Sequence, residues 1–315
     1  MGFERPAVMR FDVPFQADAP PLLSQDAGIT GLMERRATSH SIDVTLLDTA
    51  DDRLLRAGVL LAHRVLGGEG DWYLAAPGWA PYLPQECIIP IGATAELPQE
   101  FADLTRPLVR RAVLGPVAAL ECQRTEYLLR GPDGDLGAIR DERVTVRQGG
   151  VMTSRYREST LTSASQLSER QVRHVRAALD AVSATAVDEF PALQQRLGAP
   201  ATGGTDFPEP APPDREATME AFVTRLFATD LHALVRAQYR SQEAVTAALQ
   251  EVQRHVRGLA NVLDPAWRQA VESALVTAST PWLAALDVVD SLVAAVHAPR
   301  LGDVSAEPAA ALLLR

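Results

Sequence analysis

The stretch LLDTADDRLLRAGVLLAHR, residues 46–64, decides the fold of the N-terminal half. It begins as the end of an apolar strand and turns at the polar residues DTADD. It continues as a short amphipathic segment, which Gly58 interrupts, and ends in a second strand. A strand, a polar turn and a second strand predict an antiparallel hairpin.

The sequence around this stretch, up to about residue 162, also predicts strands. Short apolar or alternating runs lie between turn signals, at residues 41–47, 57–66, 71–77, 86–92, 117–129 and 143–148. The connectors 67–70, 131–135 and 149–150 are rich in glycine and predict hairpin turns. Residues 98–114 have helical spacing instead. The prediction is an α+β fold with an antiparallel barrel or tunnel and accessory helices.

The second half of the chain is predicted to be helical. A helix is expected over 168–182, with Ser168 as N-cap, and a short one over 191–198 ending at Gly198. Residues 201–214 are rich in proline and glycine and predict a linker. Apolar spacing predicts four more helices, over 217–240, 242–263, 264–277 and 281–298. The expected division is a β domain (1–200), a linker (201–214) and a helical bundle (215–315).

Composition narrows the classes of partner and location. A length of 315 residues allows two domains, and the net charge of −10 argues against a nucleic-acid partner. The sequence has no uninterrupted apolar run of about 18 residues, so we expect no membrane contact. Two cysteines make no disulfide framework, and a cytoplasmic location is expected. All 30 basic residues are arginine, which excludes lysine chemistry.

The opening stretch resembles the CYTH family, the triphosphate tunnel proteins. The resemblance lies in Asp48-Thr49, Arg53, Arg56-Ala57-Gly58 and Arg64, and the segments MRFDVP (9–14), DWYLAAP (71–77), GPVAALECQRTEYLL (115–129), AIRDERVTV (138–146) and YREST (156–160) follow in the family's order. It covers roughly residues 5–198 and implies an eight-stranded tunnel. After the linker, residues 243–267 and 283–296 resemble part of a CHAD domain, a helical module, in truncated form.

The resemblance implies a metal-assisted reaction on triphosphates, for which this sequence lacks several groups. Family members carry E-x-E-x-K on the first strand and E-x-E on the last, which hold Mg²⁺ or Mn²⁺. Here the first three positions are Pro6, Val8 and Arg10. On the last strand, Glu158 is followed by threonines at the next two inward positions. The remaining metal-ligand candidates are Glu86, Glu158 and one of Asp141 or Glu142, a thin set for a hard cation, so no cofactor is expected.

Four arginines of the implied tunnel could still clamp an anion without metal: Arg10, Arg64, Arg124 and Arg157. The alternative is that they form structural ion pairs with Glu86, Glu142 or Glu158. In the CHAD-like half, Thr246 and Leu249 replace basic signature positions, and acids outnumber arginines. Polyphosphate binding by charge attraction is therefore disfavoured there.

The sequence predicts a non-catalytic CYTH/CHAD-type protein that acts by binding, as a scaffold or regulator, with no catalytic residue. A phosphate-bearing ligand could occupy the residual tunnel. A protein partner, or a second copy of the chain, could dock on the helical half. The alternative is an active triphosphatase on nucleotides or polyphosphate, using Mg²⁺ or Mn²⁺ and a rearranged set of acids.

Overall fold

The computed structural model describes residues 8–92, 96–163, 167–214, 217–277, 280–299 and 301. Pro6, one of the first-strand positions discussed above, lies outside these ranges. Within them, no helix combines the length and the apolarity needed to cross a membrane.

Ten strands form one antiparallel sheet. They are β1 (Val8–Val13), β2 (Gly31–Glu34), β3 (His40–Asp48), β4 (Leu60–Leu66), β5 (Glu69–Ala75), β6 (Glu86–Pro90), β7 (Gly115–Gly131), β8 (Gly134–Gln148), β9 (Val151–Ser163) and β10 (Thr185–Val187). The order is β10-β1-β9-β8-β7-β3-β4-β5-β6, and β2 pairs with the far end of β7. The end strands β6 and β10 do not pair with each other among the described residues.

Eight α-helices accompany the sheet in the described ranges. They are α1 (Arg53–Arg56), α2 (Gln99–Val109), α3 (Glu169–Asp180), α4 (Leu193–Leu197), α5 (Met219–Gln238), α6 (Gln242–Gly258), α7 (Pro265–Thr277) and α8 (Pro281–His297). The α+β prediction is confirmed, as are the cap at Ser168 and the stop at Gly198. The short strands β2 and β10 were not predicted. Helix α2 ends five residues before its predicted end, because Arg110 adopts a positive φ of 60°.

The predicted hairpin forms, and a buried carboxylate fixes its turn. Asp48, at the end of β3, accepts hydrogen bonds from the backbone N–H groups of Thr49, Leu54 and Leu55, at 2.6, 2.9 and 2.8 Å. Helix α1 is therefore anchored at its start by a side chain from the strand before it. Gly58, at φ 71°, then lets the chain leave the helix for β4.

The largest hydrophobic cluster joins the sheet to the helical half. It contains Leu61 and Leu74 from β4 and β5, Phe101 from α2, and Phe227 and Val289 from α5 and α8. A second cluster packs α3 against β1, β8 and β9, and a third packs α4 against the middle of the sheet. The two halves therefore bury apolar surface against each other.

The proline- and glycine-rich segment 201–214 also makes specific contacts. Its Asp206 is buried and accepts hydrogen bonds from Arg56 Nη2 at 2.8 Å and from Arg110 Nη2 at 2.6 Å. Phe207 is buried in the largest cluster, where its ring meets Trp79 edge-on at 5.5 Å. The segment is held at both residues, and its role as a linker between two domains stays a prediction.

Candidate functional site

Alternation along the strands separates two chemically different faces of the sheet. One face, called here the charged face, carries Arg10, Asp12, Arg64, Arg124, Glu142 and Glu158. The cross-strand register connects these positions, because directly paired residues point to the same side. The other face, called here the packed face, carries the side chains that contact α3 and the loop before β2.

Three carboxylates meet side by side on the charged face. In the register, Glu158 of β9 lies between Asp12 of β1 and Glu142 of β8. Arg196 of α4 reaches them from above, with Nη2 3.0 Å from Glu158 Oε1 and 3.9 Å from Asp12 Oδ1. Its guanidinium also stacks on the ring of Tyr156, 4.2 Å from the centroid. Helix α4 therefore places a cation over the acids.

The electrostatics of Glu158 reflect this crowding. Burial raises the pKa of its carboxyl, Arg196 opposes the rise, and the neighbouring Glu142 and Asp12 add to it. Glu142 is itself held by two arginines, with Arg124 Nη2 at 2.7 Å and Arg140 Nε at 3.3 Å. Glu158 and Glu142 are thus each paired with at least one guanidinium.

The far side of the charged face is also internally paired. Arg64 of β4 forms a two-point ion pair with Asp71 of β5, at 2.8 and 3.1 Å, and lies 4.1 Å above the ring of Tyr73. Burial raises the pKa of the Tyr73 phenol, and the nearby Glu86 raises it further. At the opposite end, Arg10 donates to the backbone carbonyl of Asp188 at 3.1 Å.

Arg157 does not join the other candidate arginines. It is paired directly with Val13 in the register of β1 and β9. Its side chain therefore belongs to the packed face, where it is buried. Its Nε donates to both oxygens of Asp141, at 2.9 and 3.1 Å, and its Nη1 to the carbonyl of Ala17 at 2.6 Å. The structure brings together Arg124, Glu142 and Glu158 and sets Arg157 on the other side of the sheet.

The described acids Glu142 and Glu158 of the charged face are paired with arginines. In the part of the chain that the structure describes, no group of three or more His, Cys, Asp or Glu side chains is arranged to hold a metal ion. Val8 and Arg10 occupy positions where the resembled family has a carboxylate and a lysine. Cys122 lies on this face too, and burial raises the pKa of its thiol to about 11, which disfavours the thiolate form at neutral pH.

Sequence reasoning missed Asp12, Arg140, Tyr156 and Arg196. Asp12 lies two residues after Arg10, so alternation alone could have placed it on the same face. Tyr156 lies two residues before Glu158 and could have been found in the same way. The contact of Arg196 comes from the docking of α4, for which the sequence holds no local signal.

The chain is similar to known proteins over part of its length. No family model matches the chain. Two uncharacterized proteins of Mycobacterium tuberculosis, from strains CDC 1551 / Oshkosh and H37Rv, are 27% identical to it over 118 residues. That match covers 37% of this chain and 23% of the length of each relative, so the chain spans less than a quarter of the curated proteins it matches.

Several solved structures are similar over about three fifths of the chain. A candidate adenylate cyclase from Bacillus halodurans aligns with 62% of this chain and 98% of its own, at 17% identity and a TM-score of 0.34. A candidate adenylate cyclase from Vibrio parahaemolyticus aligns with 62% of this chain and 99% of its own, at 12% identity and a TM-score of 0.29. A candidate adenylyl cyclase from Hippeastrum is described as having a dominant triphosphatase activity. It aligns with 62% of this chain and 98% of its own, at 14% identity and a TM-score of 0.32. All three scores lie below 0.5, a level that does not establish a shared fold.

Proposed function

We propose that this chain is a CYTH-like protein with a truncated CHAD-like bundle, and that it works by binding and not by catalysis. The observation that supports this most directly is the pairing of Glu158 with Arg196, at 3.0 Å. Glu158 is the last-strand acid that survives from the family pattern, and a guanidinium occupies the side where a cation would sit. A divalent metal would have to displace Arg196 and recruit further oxygen ligands.

Phosphate release tests this proposal directly. The intact chain is incubated with tripolyphosphate or ATP, in the presence of Mg²⁺ or Mn²⁺, and free phosphate is measured. We expect no release above the buffer control. Release that Glu158→Gln abolishes, and that Glu121→Gln on the packed face leaves unchanged, would establish the alternative, an active triphosphatase with a rearranged set of acids.

A phosphate-bearing small molecule is the proposed ligand of the charged face. Arg64 and Arg124 offer planar guanidinium groups, which bind phosphate oxygens in pairs. Both are already engaged, with Asp71 and Glu142, so a ligand must compete with these acids. Weak binding is therefore expected, and removing a competing acid should strengthen it.

The competition can be measured with one variant. Glu142→Gln frees Arg124 from its ion pair, so this variant should bind tripolyphosphate more tightly than the natural chain. The readout is the rise in melting temperature with tripolyphosphate concentration, and Glu121→Gln serves as the matched control. If neither the natural chain nor Glu142→Gln responds, the phosphate ligand is wrong and a scaffold role remains.

The helical half is the proposed surface for a protein partner or for a second copy of the chain. It exposes Val276 on α7, a large apolar side chain that is 77% accessible. Light scattering on the intact chain measures its mass in solution. A mass equal to that of the monomer, 34.0 kDa, would contradict self-association.

A further inference from the structure

A cavity of about 270 Å³ lies on the packed face, away from the charged face. The strands β7, β8 and β9 form its floor, and α3 and the loop before β2 form its roof. The apolar part of its wall includes Leu22, Ile139 and Leu179. The polar part includes Thr125, Arg143 and Ser159. The cavity is therefore amphipathic, lined by both charged and hydrophobic side chains.

The charges in the wall do not balance. Arg157 is neutralised by Asp141, which holds its Nε with both oxygens. Arg143 lines the same cavity but forms no ion pair with any described residue. Its Nε is buried and has no hydrogen-bond partner within the described part of the chain. An unpaired buried donor is costly, and Arg143 is the arginine of the described lining that no carboxylate neutralises.

The size of the cavity limits what could neutralise this charge. Its volume equals the share of about nine water molecules in the liquid, at about 30 Å³ each. This is close to the lower end of the range of small-molecule sites, which begins near 300 Å³. The volume favours a small occupant, and the unpaired Arg143 together with the apolar lining favours one with a single negative group and an apolar body.

We propose that this cavity binds a monocarboxylate with an unbranched apolar chain of six to eight carbons. The carboxylate would pair with the guanidinium of Arg143, which can present two N–H donors to it. The chain would lie against Leu22, Ile139 and Leu179. This site is independent of the proposed function, because Arg143 and Glu142 are consecutive residues of β8 and point to opposite faces.

A phosphate group fits the cavity less well. A dianion would need a second free cation, and the other arginine in the wall is already paired with Asp141. The apolar roof would also face the charged oxygens without compensating them. Inorganic phosphate is therefore a useful negative probe.

Calorimetric titration of the intact chain tests the proposal without any mutation. Octanoate and hexanoate should bind with one-to-one stoichiometry. Octanol, which has the same chain without the charge, should bind at least tenfold more weakly than octanoate, and inorganic phosphate should not compete. If octanoate gives no saturable binding, if octanol binds as tightly, or if phosphate displaces octanoate, the proposal is wrong.

A matched pair of variants then locates the site. Arg143→Met should weaken octanoate binding at least tenfold, whereas Arg147→Met, at an exposed position on the same strand, should change it less than twofold. Arg143→Lys keeps the charge and should recover part of the affinity. Equal affinities for the two methionine variants, with octanoate still binding to the natural chain, would place the ligand elsewhere and overturn the assignment.

Discussion

Substituting Asp206 by alanine is a sharp test of how segment 201–214 is held. The carboxylate is buried and contacts Arg56 at 2.8 Å and Arg110 at 2.6 Å. Without it, the Arg110 guanidinium, 2% exposed, keeps among the described residues a 3.3 Å hydrogen bond from Nη1 to the Leu108 carbonyl and the 2.6 Å contact of its Nε with the half-exposed Asp290. Asp206→Ala should therefore leave a buried charge poorly compensated.

The size of the effect follows from the burial. Removing one partner of a buried ion pair costs about 3–5 kcal/mol of unfolding free energy. Unfolding entropies of about 2.1 cal/mol/K per residue give about 0.66 kcal/mol/K for a chain of 315 residues. The melting temperature should therefore fall by about 5–8 °C, provided that the chain unfolds in one transition.

Differential scanning calorimetry measures this shift. Glu209→Ala is the matched control, because Glu209 belongs to the same segment but is exposed and makes no ion pair with the described residues. That variant should change the unfolding free energy by less than about 0.5 kcal/mol. Equal and small effects for the two variants would refute the reasoning, and would mean that the segment is a loose linker.

Three further predictions concern single residues. Burial raises the pKa of the Asp52 carboxyl to about 6, and the nearby Asp48 adds to the rise. The folded state therefore favours the protonated form, and the free energy of unfolding falls as the pH rises from about 4 to 6. Asp52→Asn, which also tolerates the φ of 54°, should raise the melting temperature at pH 7.5 and have little effect near pH 4. Tyr239→Phe removes a buried hydroxyl that has no partner among the described residues, and should raise the free energy of unfolding in urea by about 1 kcal/mol; a loss would contradict that assignment. Gly137→Ala would place a Cβ 2.5 Å from the carbonyl oxygen of Thr162, and should cost about 2–3 kcal/mol in the same assay; an unchanged midpoint would show that the strands separate easily.

The sequence was informative where local patterns decide the structure. The helices α3, α5, α6 and α8 lie where apolar spacing and end signals placed them. The hairpin at residues 46–64 also forms as predicted, because its turn is fixed by contacts between near neighbours in the chain. In contrast, β2 and β10 have four and three residues, too few for a periodic pattern to be visible.

The candidate site was harder to predict, because it depends on which strands pair. Arg157 and Glu158 are adjacent, so alternation already forbids both from facing one tunnel, and the structure separates them accordingly. The partner of Glu158 comes from α4, 38 residues further along the chain. The composition of 201–214 suggested a linker, and nothing in it indicated that Asp206 would be buried between two arginines.

The two faces of β8 limit how this strand can change in evolution. Asp141 and Arg143 serve the cavity, and Glu142 between them serves the charged face. Inserting or deleting one residue upstream of them in the strand would exchange the two sets, directing Glu142 into the cavity and the other two onto the charged face. Inserting or deleting two residues would keep each side chain on its own face and move it to the next position along that face. We therefore expect length variation among related chains to fall in the turns at 131–134 and 148–151, and changes inside β8 to come in pairs.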